Sequence, residues 1–187
     1  MEQNSQIKIL EAQIRECFGR VVWSHKTQEK CADILTVRNN CIKNVQILLA
    51  GFITTGLLLR VFKGSELALI ISTILSAIQF AFTSYLKEYN LGETIQKHHS
   101  SALELWNIRE QYLSLLTDIK ADKKTIDEII EQRNSLQIAL ESTYKGSPRT
   151  FSKAYSKASE GLKRNEEYTF SDEEIDKFLP KELRKTA

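Results

Sequence analysis

The chain has very little that stops a helix. Its 187 residues include only two prolines, Pro148 and Pro180, and seven glycines. So little punctuation argues against a turn-rich sheet fold and for long helices. Cysteine is scarce as well: Cys17, Cys31 and Cys41 are the three. An odd count excludes a closed disulfide framework, and the spacing matches no usual zinc pattern. They read as reduced thiols on a helix. Charge of neither sign prevails. With 26 Lys/Arg against 24 Asp/Glu the net charge is +2, so no global field argues for direct nucleic-acid binding. The N-terminus lacks the basic start leading straight into an apolar core that marks a signal peptide.

Recognisable catalytic machinery is lacking too. The sequence has no phosphate-cradling glycine loop, no G-x-S-x-G, no H-E-x-x-H and no C-x-x-C. His98 and His99 are adjacent, so on a helix they point about 100° apart and cannot both ligate one metal. Acidic residues fall on faces read as solvated, with no pocket to pair two carboxylates. The expectation is a non-enzymatic chain without metal or cofactor. His25, in a polar run, reads as a solvated or satisfied side chain.

What the chain does have is two apolar runs between Asn44 and Leu86. From Leu67 to Leu86 there is no charge, about 20 residues and the length needed to cross ~30 Å of hydrocarbon. From Asn44 to Leu59 the uncharged run is shorter, about 24 Å as a helix. It completes a span if Arg60 snorkels outward and Val61 and Phe62 finish the helix. Lys63-Gly64-Ser65-Glu66 forms the polar turn between the runs. The mean hydropathy of the whole chain, −0.31, conceals this hairpin because charged helices flank it. The alternative is the buried central hairpin of a soluble bundle, but such helices are usually shorter and keep a polar face.

The expected fold class is therefore all-α: a transmembrane helical hairpin extended into a cytosolic helical bundle. Its parts are an N-terminal amphipathic helix over 1–43 and a hairpin over 44–86, with spans about 44–62 and 67–86. A cytosolic helical hairpin follows over 87–145. Residues 146–187 hold a basic helix, a short acidic helix and a tail. No breaker separates Cys41 from Val45, so the first helix is free to run straight into the membrane, with Asn39, Asn40 and Asn44 as the place where it could bend. The helix leaving the second span has no evident stop until 120. Thr125 with Glu128, and Ser171 with Glu174, form capping boxes. Gly146 closes a helix, and Ser147 and Pro148 open the next. The last short helix stops at Pro180, and 181–187 form a frayed tail. Lys26, Lys30, Arg38 and Lys43 precede the hairpin and Lys87 and Lys97 follow it, against Arg60 and Lys63 at the turn. This asymmetry places both termini in the cytoplasm and the short turn outside, with two spans in the membrane.

Three groups of residues are candidates for function. Ser72, Ser76, Gln79 and Thr83 are spaced 4-3-4 on one face of the second span. They either line a water path in a homo-oligomer or pack against the first span of the same chain. Ala50 with Thr54, and Gly51 with Thr55, are small-x-x-x-small pairs that let helices approach closely. Arg149, Lys153 and Lys157, interleaved with Phe151 and Tyr155, suit contact with anionic lipid or an acidic partner. The competing reading is a solvated face whose aromatics dock on the bundle. Leu105 and Tyr112 belong to the apolar stripe of the helix after the second span; Trp106 beside them is either a core ring or an exposed partner contact.

Several stretches carry a family resemblance: 13–35, 91–119, Tyr144-KGSPRTFSKAY-Tyr155 and Ser171-DEEIDKFLPKEL-Leu183. The run W-x-I-R-E-x-Y-L-S-L-L-T-D at 106–118 and F-L-P-K-E-L at 178–183 are its most specific parts. Together they resemble the SLATT family, closest to its fifth subfamily. The resemblance implies a two-span bacterial inner-membrane effector of antiphage or conflict systems. Such domains are proposed to form pores that depolarise the cell. Relatives are encoded beside nucleotidyltransferases or reverse transcriptases, and no sensor or messenger-making domain is recognisable in this chain. The trigger is then a partner protein, or a ligand of the bundle itself. A non-conducting anchor for a partner enzyme is the alternative.

Overall fold

The computed structural model describes residues 2–165, 168, 170–179 and 184, with side chains from Ser5 onward. Six helices follow in order: α1 Glu2–Lys63, α2 Glu66–Tyr89, α3 Leu91–Lys120, α4 Ile126–Gly146, α5 Ser152–Lys163 and α6 Asp172–Phe178. No strand occurs among the described residues. The expected all-α architecture of a hairpin joined to a helical bundle is what the chain adopts.

Everything is arranged along α1, which runs unbroken for 62 residues, about 93 Å at helical rise. The first helix runs straight on into the apolar run, as the lack of a breaker between Cys41 and Val45 implies, and Asn39, Asn40 and Asn44 do not interrupt it. Isolated asparagines cost a helix only a few tenths of a kcal/mol each, and Asn39 is buried. The turn after α1 is made as the sequence anticipates. Gly64 takes φ +69°, a left-handed conformation that glycine adopts without a Cβ penalty. Arg60 donates to the Gly64 carbonyl at 2.9 Å and pairs with Glu66. Ser65 caps α2 by accepting from the Ala68 N–H.

α2 does not run on into the bundle. Asn90 stands between α2 and α3 at φ 38°, ψ 53°, and its N–H closes on the Leu86 carbonyl. Asparagine tolerates this left-handed geometry better than other non-glycine residues, so one residue ends one helix and starts the next. Gly92 does not mark the break; it lies inside α3.

Below the hairpin, α3, α4 and α5 pack around the N-terminal part of α1. The core joins Ile14 and Val21 of α1, Leu105, Ile108, Tyr112, Leu115 and Ile119 of α3, and Ile129 and Leu136 of α4. The α3 positions alternate three and four apart, the period of a coiled-coil seam. Tyr112 is fully buried with its hydroxyl beside the Cys17 thiol; burial pushes its pKa up to about 12. Of the two readings for Trp106, the structure shows the exposed one. It is 46% exposed, because it sits off the α3 seam that Leu105 and Ile108 occupy.

The capping boxes of α4 at Thr125–Glu128 and of α6 at Ser171–Glu174 both form. Ser147 does not cap α5. It ends α4, donating its hydroxyl to the Thr143 carbonyl at 2.7 Å. Pro148 lies in an extended link and α5 begins only at Ser152, after Phe151. α6 ends at Phe178; the expected stop at Pro180, and the tail apart from Arg184, lie outside the described residues.

Candidate functional site: the membrane hairpin and the polar layer beneath it

The hairpin is two helices pressed together along one narrow stripe. On α1 the half-covered positions are Ile42, Val45, Gln46, Leu49, Ile53, Gly56 and Arg60. On α2 they are Ala68, Leu69, Leu75, Gln79, Phe82 and Leu86, with Ser72 fully buried among them. Both stripes repeat every 3.5 residues, so each helix keeps one seam toward its partner. All else points outward, including Phe52, Leu58, Ile71, Ile74 and Phe80. The most apolar 18-residue windows of the two helices are 0% and 6% buried. Burial so low excludes the core hairpin of a soluble bundle, whose apolar face would be covered by protein. Both helices are long and apolar enough to cross a membrane.

The polar residues flagged on the second span divide. Ser72 is 2% exposed and its hydroxyl donates to the Ile53 carbonyl at 3.4 Å. It fits against Gly56, where an added Cβ would lie 2.1 Å from the Ser72 Oγ. Gly56 is thus the small residue that admits the close approach. The suspected pairs are not: nothing lies within 4 Å of a Cβ at Gly51. Thr54 and Thr55 are exposed and bond their own helix at Ala50 and Gly51, both at 2.9 Å. Gln79 also turns toward α1, and its Oε1 is buried without a hydrogen-bond partner. Ser76 and Thr83 lie exposed beside the seam. Thr83 accepts from Gln46 of α1 at 3.0 Å and donates to the Gln79 carbonyl at 2.9 Å. Within one chain, then, Ser72 and Gln79 face the first span and Ser76 and Thr83 flank the contact.

At the bundle end of the hairpin, Tyr85 and Tyr89 have ring centroids 4.5 Å apart, and the Arg38 guanidinium lies 5.2 Å from the Tyr85 ring. Such amphipathic rings favour the membrane–water boundary. α5 lies along α1 with Ala154, Ala158 and Gly161 buried. Arg149, Lys153 and Lys157 are exposed. Lys153 and Lys157 border a groove with α1, whereas Arg149 does not.

The bundle holds a polar layer that local spacing does not announce. His25, Lys26, Thr27 and Gln28 of α1 are each 6% exposed or less, as is His98 of α3 at 1%. His98 Nδ1 meets Gln28 Oε1 at 2.5 Å, and Gln28 Nε2 donates to the Pro148 carbonyl at 3.4 Å. One amide therefore ties α1, α3 and the link before α5. Burial, assisted by the neighbouring His99, holds the His98 pKa below the usual histidine range. Tyr168, more than 140 residues beyond His25, closes the other side. Its hydroxyl donates to Glu29 at 2.6 Å, its ring stacks on His25, and Lys26 and Arg109 lie 4.5 and 4.8 Å from that ring. The hydrogen bond from His25, with those of Tyr168 and the charge of Lys26, brings the Glu29 pKa down to about 2 against the opposing effect of burial. Burial raises the Cys31 pKa, which makes it a packing residue rather than a reactive thiol. No cluster of three or more metal-ligating side chains occurs among the described residues.

Two of the helices are long and apolar enough to span a bilayer, and α1 joins the bundle to the hairpin without a break. No curated protein and no solved structure matches the chain. The profile of the SMODS and SLOG-associating 2TM effector domain family 4 matches residues 10–174, covering the hairpin, the polar layer and the bundle. It names the fourth family, whereas the sequence resemblance pointed to the fifth. The shared two-span architecture and a match over nearly the whole chain agree: the protein belongs to the SLATT_4 family of two-transmembrane effector domains.

Proposed function

We propose that the chain is an effector of a bacterial antiphage or conflict system that oligomerises through its hairpin and permeabilises the inner membrane. The observation that carries this reading is Gln79. Its Oε1 is buried without a partner inside a pair of helices that lipid surrounds. A buried polar group left unpaired costs about 1–3 kcal/mol, and hydrocarbon offers no water to relieve it. Ser76 and Thr83 wait on the adjoining lipid-facing surface. Turning α2 away from α1 toward neighbouring copies puts Ser72, Ser76, Gln79 and Thr83 on one shared face and satisfies the amide with water or another hairpin. The resting chain holds this face partly shut, and a partner enzyme or sensor acting on the bundle opens it.

Packing of α1 against both α3 and α5 keeps the two flanks of the hairpin on one side of the membrane. The lysines and arginines that border those flanks favour the cytoplasmic side. Single-cysteine labelling of intact cells checks this. Position 65 should react from the periplasm and positions 5 and 159 should not.

The decisive experiment measures membrane potential and dye entry on expression of wild type and of Gln79→Leu. Wild type should depolarise the cell. Gln79→Leu should insert and assemble, since leucine is well tolerated in lipid, yet pass far less current. Ser76→Asp in the conducting oligomer should shift selectivity toward cations. An unchanged potential with wild type fully inserted would make the protein a non-conducting anchor for a partner enzyme. Normal flux and selectivity in assembled Gln79→Leu and Ser76→Asp oligomers would show that this face is not the conduit.

A further inference from the structure

We infer that the groove between α1 and α5 is a binding site for an anionic phospholipid of the leaflet on the bundle side. The inference rests on the membrane placement of the hairpin and adds a ligand of stated chemistry to it. The groove encloses about 740 Å³. Its floor is apolar, made by Ile34, Val37 and Ile42 of α1 and by Phe151. Arg38, Lys153 and Lys157 stand around it, and Asp33 is the only carboxylate in its lining.

Three observations select lipid as the occupant. The first is height. Arg38 lies against Tyr85, in the aromatic belt at the end of the second span, about 9 Å along α1 from Asn44 where the first apolar run starts. The polar zone of a bilayer is roughly 5–8 Å deep on each side, so an arginine side chain at that height works among headgroups. The second is continuity. Val37 is 70% exposed, and the next outward apolar residues up α1 are Ile47 and Leu48 in the span itself. The floor of the groove thus joins the surface that lipid tails cover. The third is unspent charge. Several exposed lysines and arginines elsewhere are matched, as in Lys97–Glu93, Lys145–Glu141 and Arg164–Glu160, whereas the groove brings three cations together around one carboxylate, Asp33. Among the described residues no carboxylate pairs with Arg38, Lys153 or Lys157. An apolar floor with one arginine at headgroup height and two lysines deeper along the same groove complements a phospholipid whose phosphate and headgroup carry net negative charge.

The test uses the full chain in nanodiscs of phosphatidylcholine mixed with phosphatidylglycerol, with the retained lipids identified by native mass spectrometry. Wild type should retain phosphatidylglycerol in preference to phosphatidylcholine. K153Q/K157Q should lower that preference by about fivefold per lysine, the effect of roughly one cation near an anionic surface. K43Q/K87Q removes two exposed lysines at the ends of the spans, outside the groove, and should lower the preference less than K153Q/K157Q does. Equal loss in both double variants, or none in K153Q/K157Q, overturns the site. Failure of wild type to enter the nanodisc would overturn the membrane placement as well, whereas entry without lipid preference removes only the groove.

Discussion

α1 meets two partners, and the two contacts are built differently. Against α2 its seam buries one residue completely, the small and polar Ser72, and leaves large apolar side chains outside. Against α3 the seam has the same 3.5-residue period but buries Leu105, Tyr112 and Leu115 to 0% exposure, with α4 and α5 as further cover. Water drives the second layer, because each buried leucine or aromatic gains roughly 1.5–3 kcal/mol by leaving it. Hydrocarbon gives no such gain, so in lipid two helices stop at close backbone contact through small residues. Buried polar groups do not divide so cleanly. In the bundle, His25, Gln28, Glu29 and His98 find partners in one another and in Tyr168, but the Tyr112 hydroxyl is buried without a hydrogen-bond partner, as Gln79 Oε1 is in the hairpin.

The largest expected effect sharpens this contrast. Leu105→Ala should destabilise the bundle by about 2–5 kcal/mol, as a fully buried truncation. Leu58→Ala on the outer face of the hairpin should change stability by less than about 0.5 kcal/mol. Denaturation in detergent compares them, and equal losses would mean that the hairpin packs against more protein than α1 alone. Next in size, Gly56→Leu should force α2 off α1, an overpacking cost of about 1–3 kcal/mol. A disulfide engineered between positions 46 and 83 reports it. Its yield should fall, and an undiminished yield would show that the seam does not depend on the Gly56–Ser72 contact.

Acid should act on the bundle first, through His98. Its folded pKa lies below the unfolded one, so the unfolded chain binds the proton more readily. Its stabilisation is complete above the ordinary histidine range and is lost as pH falls through that range. His98→Gln should flatten the thermal stability of the bundle over that interval. Glu29 responds later. Its depressed pKa gives stability that persists at neutral pH and is lost only as pH falls from the ordinary carboxylate range toward about 2. Loss confined to that lower interval, with a flat response above it, would contradict the burial of His98. The smallest effect belongs to Trp106→Ala, which should cost less than about 0.5 kcal/mol if its exposure is not covered by a partner. A large loss of oligomer with intact bundle stability would identify that partner as another copy.

Much of this was legible in the sequence because local rules decided it. Two uncharged runs around K-G-S-E specify the hairpin, and Thr125–Glu128 and Ser171–Glu174 specify two helix starts. Where reading failed or left alternatives open, distant contacts or exact phase decided. Ser147 and Pro148 resemble a helix start, but the Ser147 hydroxyl is taken by Thr143 and the Pro148 carbonyl by Gln28. Trp106 is one position past the true seam residue Leu105, which is enough to turn it outward. Gly56 was overlooked because Ala50, Thr54, Gly51 and Thr55 satisfy the same spacing, and only the phase against α2 distinguishes them. The polar layer reads as a solvated face in α1 alone. It becomes interior only when Tyr168 folds back over it.

The unequal connections of the two spans have a mechanical consequence. α1 passes from bundle to far turn without a break, so a tilt of the bundle is expected to reach Gly64 through one continuous helix. α2 meets the bundle at Asn90, a single left-handed residue whose amide side chain, among the described residues, bonds Glu93 at 2.5 Å on the bundle side. A break of this kind is where torsion imposed by the bundle is expected to be relieved. The hairpin therefore has one driven arm and one following arm, and the following arm is the one that carries Ser72, Ser76, Gln79 and Thr83.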